Sequence, residues 1–136
     1  MREVERQATD KRNVLTIMKK IYISGPISGY DINERKDAFA KAQEVLELCG
    51  YEVRNPFDNG LDREASTHEH MRADLKMLLD CDEILILKGW NRSAGCNVEL
   101  QCAVAAGLKV SFESNATPAA IVTPIGGLSL MQTEFE

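Results

Sequence analysis

Two carboxylates in this 136-residue chain stand where a surface acid would not be expected. The first is Glu99, in the stretch SAGCNVELQCAVAAGLKV (93–110), which reads as a helix of small apolar residues. Counted at about 100° per residue from Gly95, Glu99 falls about 40° round the helix, inside the arc of Val98, Cys102, Ala103 and Ala106. Asn97 and Gln101 lie on the opposite side. The second acid, Asp74, lies on the preceding helix between Leu78 and Cys81, in an apolar arc with Met71, Leu75 and Leu79. A buried, unpartnered carboxylate is strongly destabilising or stays protonated, so acids pointing inward from two helices that flank one strand call for partners or a purpose. Glu99 also follows the helix start closely enough for the macrodipole to favour its ionised form. An ionised, desolvated and positioned carboxylate is a nucleophile or a general base. The ordinary alternative is a half-solvated acid at the rim of each helix.

Other residues can surround such a pair. Trp90, just past an apolar strand, is placed either to stack on a ring or to pack as a lid. Asn55, before Pro56, is held extended by the proline at a strand end, where its amide can read a ligand or bond the turn. His68 and His70 flank Glu69, but alternate helical residues point about 200° apart, so the two do not share one metal ion. His68 is expected as a cap or ligand contact, and otherwise in solvent. No metal and no cofactor is expected.

The elements that must position these groups follow from the patterning. Short β-branched runs alternate with helical stretches, and Gly, Pro or Asn marks the changeovers, which is the signature of βαβ units. KIYIS (20–24) predicts a first strand. Residues 34–49 predict a helix with Ala38, Phe39, Ala42, Val45, Leu46 and Cys49 on one stripe, ended by Gly50. YEVRNP is a shorter strand, and FDNGLDREAS a polar loop. A helix capped by Ser66 or Thr67, with Glu69 in its first turn, runs to about residue 80. EILIL (83–87) is apolar enough to be buried on both faces of a parallel sheet, and LKVSF gives a fourth strand. The fold expected is α/β, a doubly wound flavodoxin-like or Rossmann-like parallel sheet with helices on both faces. Ligands then bind beyond the strand carboxyl ends, where Gly25 and its loop, Asn55 and KGWNRSAG converge.

Composition narrows the partners. A net charge of -5 provides no basic field for duplex DNA or RNA, whereas a small nucleotide needs only a few amides and hydroxyls. Cys49, Cys81, Cys96 and Cys102 form no CxxC pair and read as core thiols of a reducing cytosol. No membrane-spanning run or secretory signal is visible, so a cytoplasmic protein is expected. Three segments are expected: an N-terminal extension (1–19, with Met18 an alternative start), an α/β domain (20–112) and a tail (113–136) whose AAIV is a possible strand.

IYISGP, THEHMRADLKMLLDCDEILIL and GWNRSAGCNVELQCAVAAGLKV, in this order and spacing, resemble the nucleoside 2-deoxyribosyltransferase superfamily, which includes the deoxynucleoside monophosphate N-glycosidases. The similarity is greatest to its small phage and bacterial branch. It implies that Glu99, four residues after Gly95, attacks the anomeric carbon of a sugar. It further implies that Asp74 contacts the sugar or assists the leaving base, and that Tyr22 holds the glutamate by a hydrogen bond. Ser93, two residues before Gly95, resembles a phosphate-binding serine of the monophosphate hydrolases. SGPISGYDIN lacks their loop arginine, leaving Ser24, Gly25, Ser28 and Gly29 as neutral donors.

The resemblance implies cleavage or exchange of the N-glycosidic bond of a 2′-deoxynucleotide or deoxynucleoside through a glycosyl-glutamate. The alternatives are a non-catalytic nucleotide-binding module and a ribosyl or NAD glycohydrolase. A homodimer or higher homo-oligomer is implied too, since relatives complete each site with a neighbour's residue. Ser114 and Asn115 are candidates for that residue.

Overall fold

Apolar, β-branched and aromatic residues fill KIYIS, and the two-residue strand period sends alternate side chains to opposite faces. In the computed structural model, which describes residues 18–114, this run is β1 (Lys20–Ser24). Ile21 and Ile23 join one core cluster with Phe39, Leu46 and Leu87, and Tyr22 joins the other with Leu78, Ile84, Ile86, Leu100 and Ala103. Ser24, two residues after Tyr22, shares its face.

The remaining elements are α1 (Ile32–Leu48), β2 (Glu52–Arg54), α2 (Thr67–Leu79), β3 (Glu83–Ile86), α3 (Ala94–Ala105) and β4 (Lys109–Phe112), with 3-10 turns at Pro56–Asp58 and Trp90–Arg92. All neighbouring strands are parallel, in the order β2-β1-β3-β4. This is the expected α/β parallel sheet, with α1 on one face and α2 and α3 on the other. The chain reverses its winding direction between β1 and β3, and such a switch point opens a crevice beyond the strand carboxyl ends.

Each helix start carries the cap its sequence calls for. Asp31 accepts from the Asn33 and Glu34 amides at α1. Ser66, rather than Thr67, caps α2 in a capping box with Glu69, and Ser93 caps α3 by accepting from the Cys96 amide. Gly50 follows α1 at φ 94°, a left-handed position that suits glycine.

Three expectations about faces are corrected. On α1, Val45 is 59% exposed and Cys49 is exposed too, because the sheet side is filled by Phe39 and Leu46 at i and i+7. Cys49 is therefore a surface thiol, while Cys81 and Cys96 are buried and Cys102 is partly so. On α2, Leu79 is exposed and Leu78 takes the buried place. On α3 the buried arc is Cys96, Glu99, Leu100 and Ala103, leaving Val98 and Ala106 on the outer side. That rotation brings Glu99 to the middle of the buried face rather than to its margin. Among the described residues no helix is long and apolar enough to cross a membrane. Residues 1–17, Asn115 and the AAIV segment lie outside the described residues.

Candidate active site

Glu99 is 6% exposed and bonded on both oxygens. Tyr22 Oη donates to Oε2 at 2.8 Å, and Ser24 Oγ donates to Oε1 at 2.6 Å. The strand period explains the pair: residues 22 and 24 lie side by side on the face that α3 covers, at the end of β1 where the switch point opens. Two short hydroxyl bonds fix the carboxylate plane and favour its charge, while burial opposes that charge.

Burial prevails. Desolvation pushes Glu99 up from its ordinary 4.5 to about 7, against the Ser24 and Tyr22 hydrogen bonds, with the charge of Asp74 adding to the rise. The expected stabilisation of the ionised form by the helix dipole is thus overridden, since Glu99 is the sixth residue of α3 and the dipole acts chiefly in the first turn. Burial, and then the Glu99 charge, hold the Tyr22 phenol well above its usual range, so it stays a donor. Cys96 lies near the same glutamate, but desolvation raises its thiol to about 11, which leaves it a poor nucleophile near neutral pH.

Asp74 is part-buried on α2, and burial is the main cause of its raised pKa. Opposing that rise, Asn59 Nδ2 donates to its Oδ1 at 2.8 Å, and the charges of His70 and Arg63 favour ionisation. The two acids thus share one electrostatic environment, each with a raised pKa, on adjacent helices. One proton between two such carboxyls is the arrangement that separates an acid from a nucleophile.

Several candidate residues have other duties here. Ser24 is fully buried on Glu99, so its hydroxyl holds that carboxylate and is not a loop donor for an anion. Asn55 spends both ends of its amide on the fold: Oδ1 accepts from the Phe57 amide and Nδ2 donates to Gln43 Oε1. Trp90 is 2% exposed within the core and tilts on Phe112 with centroids 5.6 Å apart, which is the packing alternative rather than an open stacking face. His68 is exposed; the histidine beside the acids is His70, at i−4 from Asp74. Gly25 sits where a Cβ would stand 2.9 to 3.0 Å from Leu87 and Phe39, so close packing alone requires glycine there. Ser28 and Gly29 are exposed in the loop between β1 and α1, and Gly95 opens α3 beside Met71.

Three groups carried no signal that sequence spacing could expose. Asn59 and Arg63 lie in a polar loop that reads as an ordinary Asn-Gly turn. Arg35 reads as a solvated helix residue, yet it is buried: Nε donates to the Pro26 carbonyl at 2.7 Å, and its guanidinium stacks against Tyr30 and Phe39. Arg35 thus lies beneath the first loop, with Nη1 3.3 Å from Glu34 Oε2, and its charge favours the Cys96 thiolate at the start of α3. Among the described residues no group of three His, Cys, Asp or Glu side chains could hold a metal ion.

Strand order, switch point and helix placement define the class as an α/β protein with the deoxyribosyltransferase-like fold. A 2-deoxyribosyltransferase from Bacillus psychrosaccharolyticus shares 22% identity over 68% of this chain and 70% of its own, with a TM-score of 0.55. The Clostridium botulinum CMP N-glycosidase shares 18% identity over 86% of this chain and 98% of its own, with a TM-score of 0.50. A conserved protein from Enterococcus faecalis V583 shares 21% identity over 85% and 87%, with a TM-score of 0.56. Residues 19–112 match the family described as "Domain of unknown function (DUF4406)", and the chain belongs to that family. No curated protein matches it.

Proposed function

We propose that this protein cleaves the N-glycosidic bond of a 2′-deoxynucleoside monophosphate, or exchanges its base, by double displacement. The observation that carries the reading is the buried Glu99, gripped by Tyr22 and Ser24 at the switch point with Asp74 close enough to raise its pKa. The 2-deoxyribosyltransferase and the CMP N-glycosidase that share the fold support glycosyl chemistry as its class.

In this mechanism ionised Glu99 attacks C1′, the C1′–N bond breaks, and its electron pair leaves with the base. Asp74 gives its proton to the departing nitrogen, and a glycosyl ester joins C1′ to Glu99. Water, deprotonated by Asp74, then attacks C1′ and releases the sugar and the free glutamate. A second base in place of water gives exchange. The pair works with one proton, which the charge of Asp74 keeps on Glu99 at rest; it passes to Asp74 as Glu99 attacks and is on the base when the bond has broken. Tyr22 and Ser24 keep the attacking oxygen oriented without taking a proton.

The monophosphate is favoured over the nucleoside by the start of α3, where the Ala94 and Gly95 amides suit an anion, with Arg35, paired to Glu34, beneath the adjoining loop. Incubation with the four common deoxynucleoside monophosphates, with and without an acceptor base, tests the reading by chromatography of free base. Release that is abolished in Glu99→Ala supports it, and no release by the wild type rejects it. Tight ligand binding without turnover would instead mark a nucleotide-binding module, and preference for a ribo over a deoxyribo substrate a ribosyl glycohydrolase. Assembly into a homo-oligomer, with a neighbour's residue closing each site, belongs to the same proposal.

A further inference from the structure

The loop between β2 and α2 reaches Asp74 through one amide. Asn59 Oδ1 accepts the Leu61 backbone N–H at 3.0 Å, and this Asx turn settles which way the amide faces. Nδ2 must then point at α2, where it donates to Asp74 Oδ1 at 2.8 Å and stands 3.0 Å from His70 Nδ1. Arg63 backs the histidine from the same loop: its Nη2 is 3.0 Å from His70 Nδ1, and its guanidinium lies 5.2 Å from the Phe57 ring centroid. Among the described residues, Asp74 Oδ2 has no hydrogen-bond partner. One carboxyl oxygen is thus clamped and the other left open.

We propose that Asn59 is the positioning residue of Asp74: its amide fixes the carboxyl plane and, by donating to the ionised form, controls how readily Asp74 releases a proton. His70 and Arg63 hold the amide's surroundings in place. The inference rests on the reading of Asp74 as the acid that serves the departing base. His70 on α2 itself and Arg63 in the loop act on Asp74, and the charge of Asp74 in turn acts on Glu99 of α3 and Tyr22 of β1. Asn59 carries no charge, so truncating it to alanine removes its hydrogen bonds and changes no charge.

The test is a carboxyl carbon NMR titration of Asp74 in the wild type, Asn59→Ala and Asn59→Asp, with base release followed over the same pH range. Asn59→Asp keeps an oxygen for the Leu61 amide, so the turn survives in that variant while a carboxylate oxygen replaces the donor. The Asp74 midpoint is expected to rise by about one pH unit in Asn59→Ala, as the loss of a charge-assisted hydrogen bond implies. It should rise further in Asn59→Asp, where a second carboxylate is added. The alkaline limb of base release should move with it, and kcat should fall more than KM rises. An unmoved Asp74 midpoint in the folded variants overturns the inference whether or not base is released. Absence of base release from the wild type overturns the functional reading instead and leaves the titration to decide the role of Asn59.

Discussion

Two buried glutamates, one opening β3 and one on α3, each accept a tyrosine hydroxyl at 2.8 Å. At the amino end of β3, Tyr51 donates to Glu83; Tyr22, in the middle of β1, donates to Glu99 of α3, whose other oxygen meets Ser24 at the carboxyl end of that strand. Glu83 is 4% exposed, fewer even than the 6% of Glu99. The bond and the burial are therefore not what distinguishes a site. The difference lies in the surroundings. Glu99 has a second hydroxyl from Ser24, a second acid in Asp74, and a place at the switch point where the sheet opens to a ligand. Glu83 sits on the strand's closed end, and Tyr51, which that bond raises, is only part-buried. One pair ties β2's start to β3; in the proposed function the other holds an acid ready for the sugar.

The sharpest way to break this contrast is to neutralise each glutamate. Glu99→Gln is expected to lower base release by about a thousandfold or more, whereas Glu83→Gln should leave it within about twofold, measured as kcat/KM on one deoxynucleotide. Equal losses would abolish the distinction between the two glutamates. Asp74→Asn comes next, with a loss of about a hundredfold from the missing proton donor. It should also lower the Glu99 midpoint, because a neighbouring negative charge has been removed. In the wild type, kcat/KM should fall as the pH climbs through about 7, where Glu99 ionises beside the charged Asp74 and the pair loses its one proton.

Stability should carry the same asymmetry with a definite sign. The folded value of Glu99, about 7, exceeds its ordinary 4.5, so the folded protein holds a proton that the unfolded chain releases. The stability tied to that proton is complete below about 4.5 and is lost as the pH rises through about 7. Glu99→Gln cannot ionise, so at pH 8 it should exceed the wild type by up to about 3 kcal/mol, a margin that vanishes near pH 4. Urea unfolding at both pH values checks this, and a variant less stable at pH 8 would contradict it. The smallest effects belong to the tyrosines. Tyr51→Phe should cost about 1 kcal/mol and no activity. Tyr22→Phe should raise the Glu99 midpoint, since a bond favouring the charge is lost, and lower the rate about tenfold.

Much of this organisation is legible in the sequence, because it depends on periodicity. The strand and helix order, the caps at Ser66 and Ser93 and the inward turn of Glu99 follow from spacings of two and of three to four residues. The grip of Tyr22 came from resemblance to a family, and the bond that the structure shows agrees with it. What stayed illegible depends on packing across elements. Ser24 reads as a loop donor until α3 covers it, and Trp90 as a stacking surface until Phe112 closes on it. His68 and His70 are equivalent in a linear reading, and only the placement of Asn59 and Arg63 selects His70. Arg35 gives no hint of burial, because the carbonyl and rings that receive it come from a loop and from its own helix.

The central claim is that Glu99 forms a bond to the sugar. Mass spectrometry of the acid-quenched protein, after incubation with a 2′-fluoro-2′-deoxynucleoside monophosphate that slows breakdown of the glycosyl ester, tests it most directly. The account predicts one added fluorodeoxyribosyl phosphate, carried on the peptide that contains Glu99 and absent from Glu99→Gln. Release of base with no adduct on that peptide, together with undiminished release by Glu99→Gln, would contradict it.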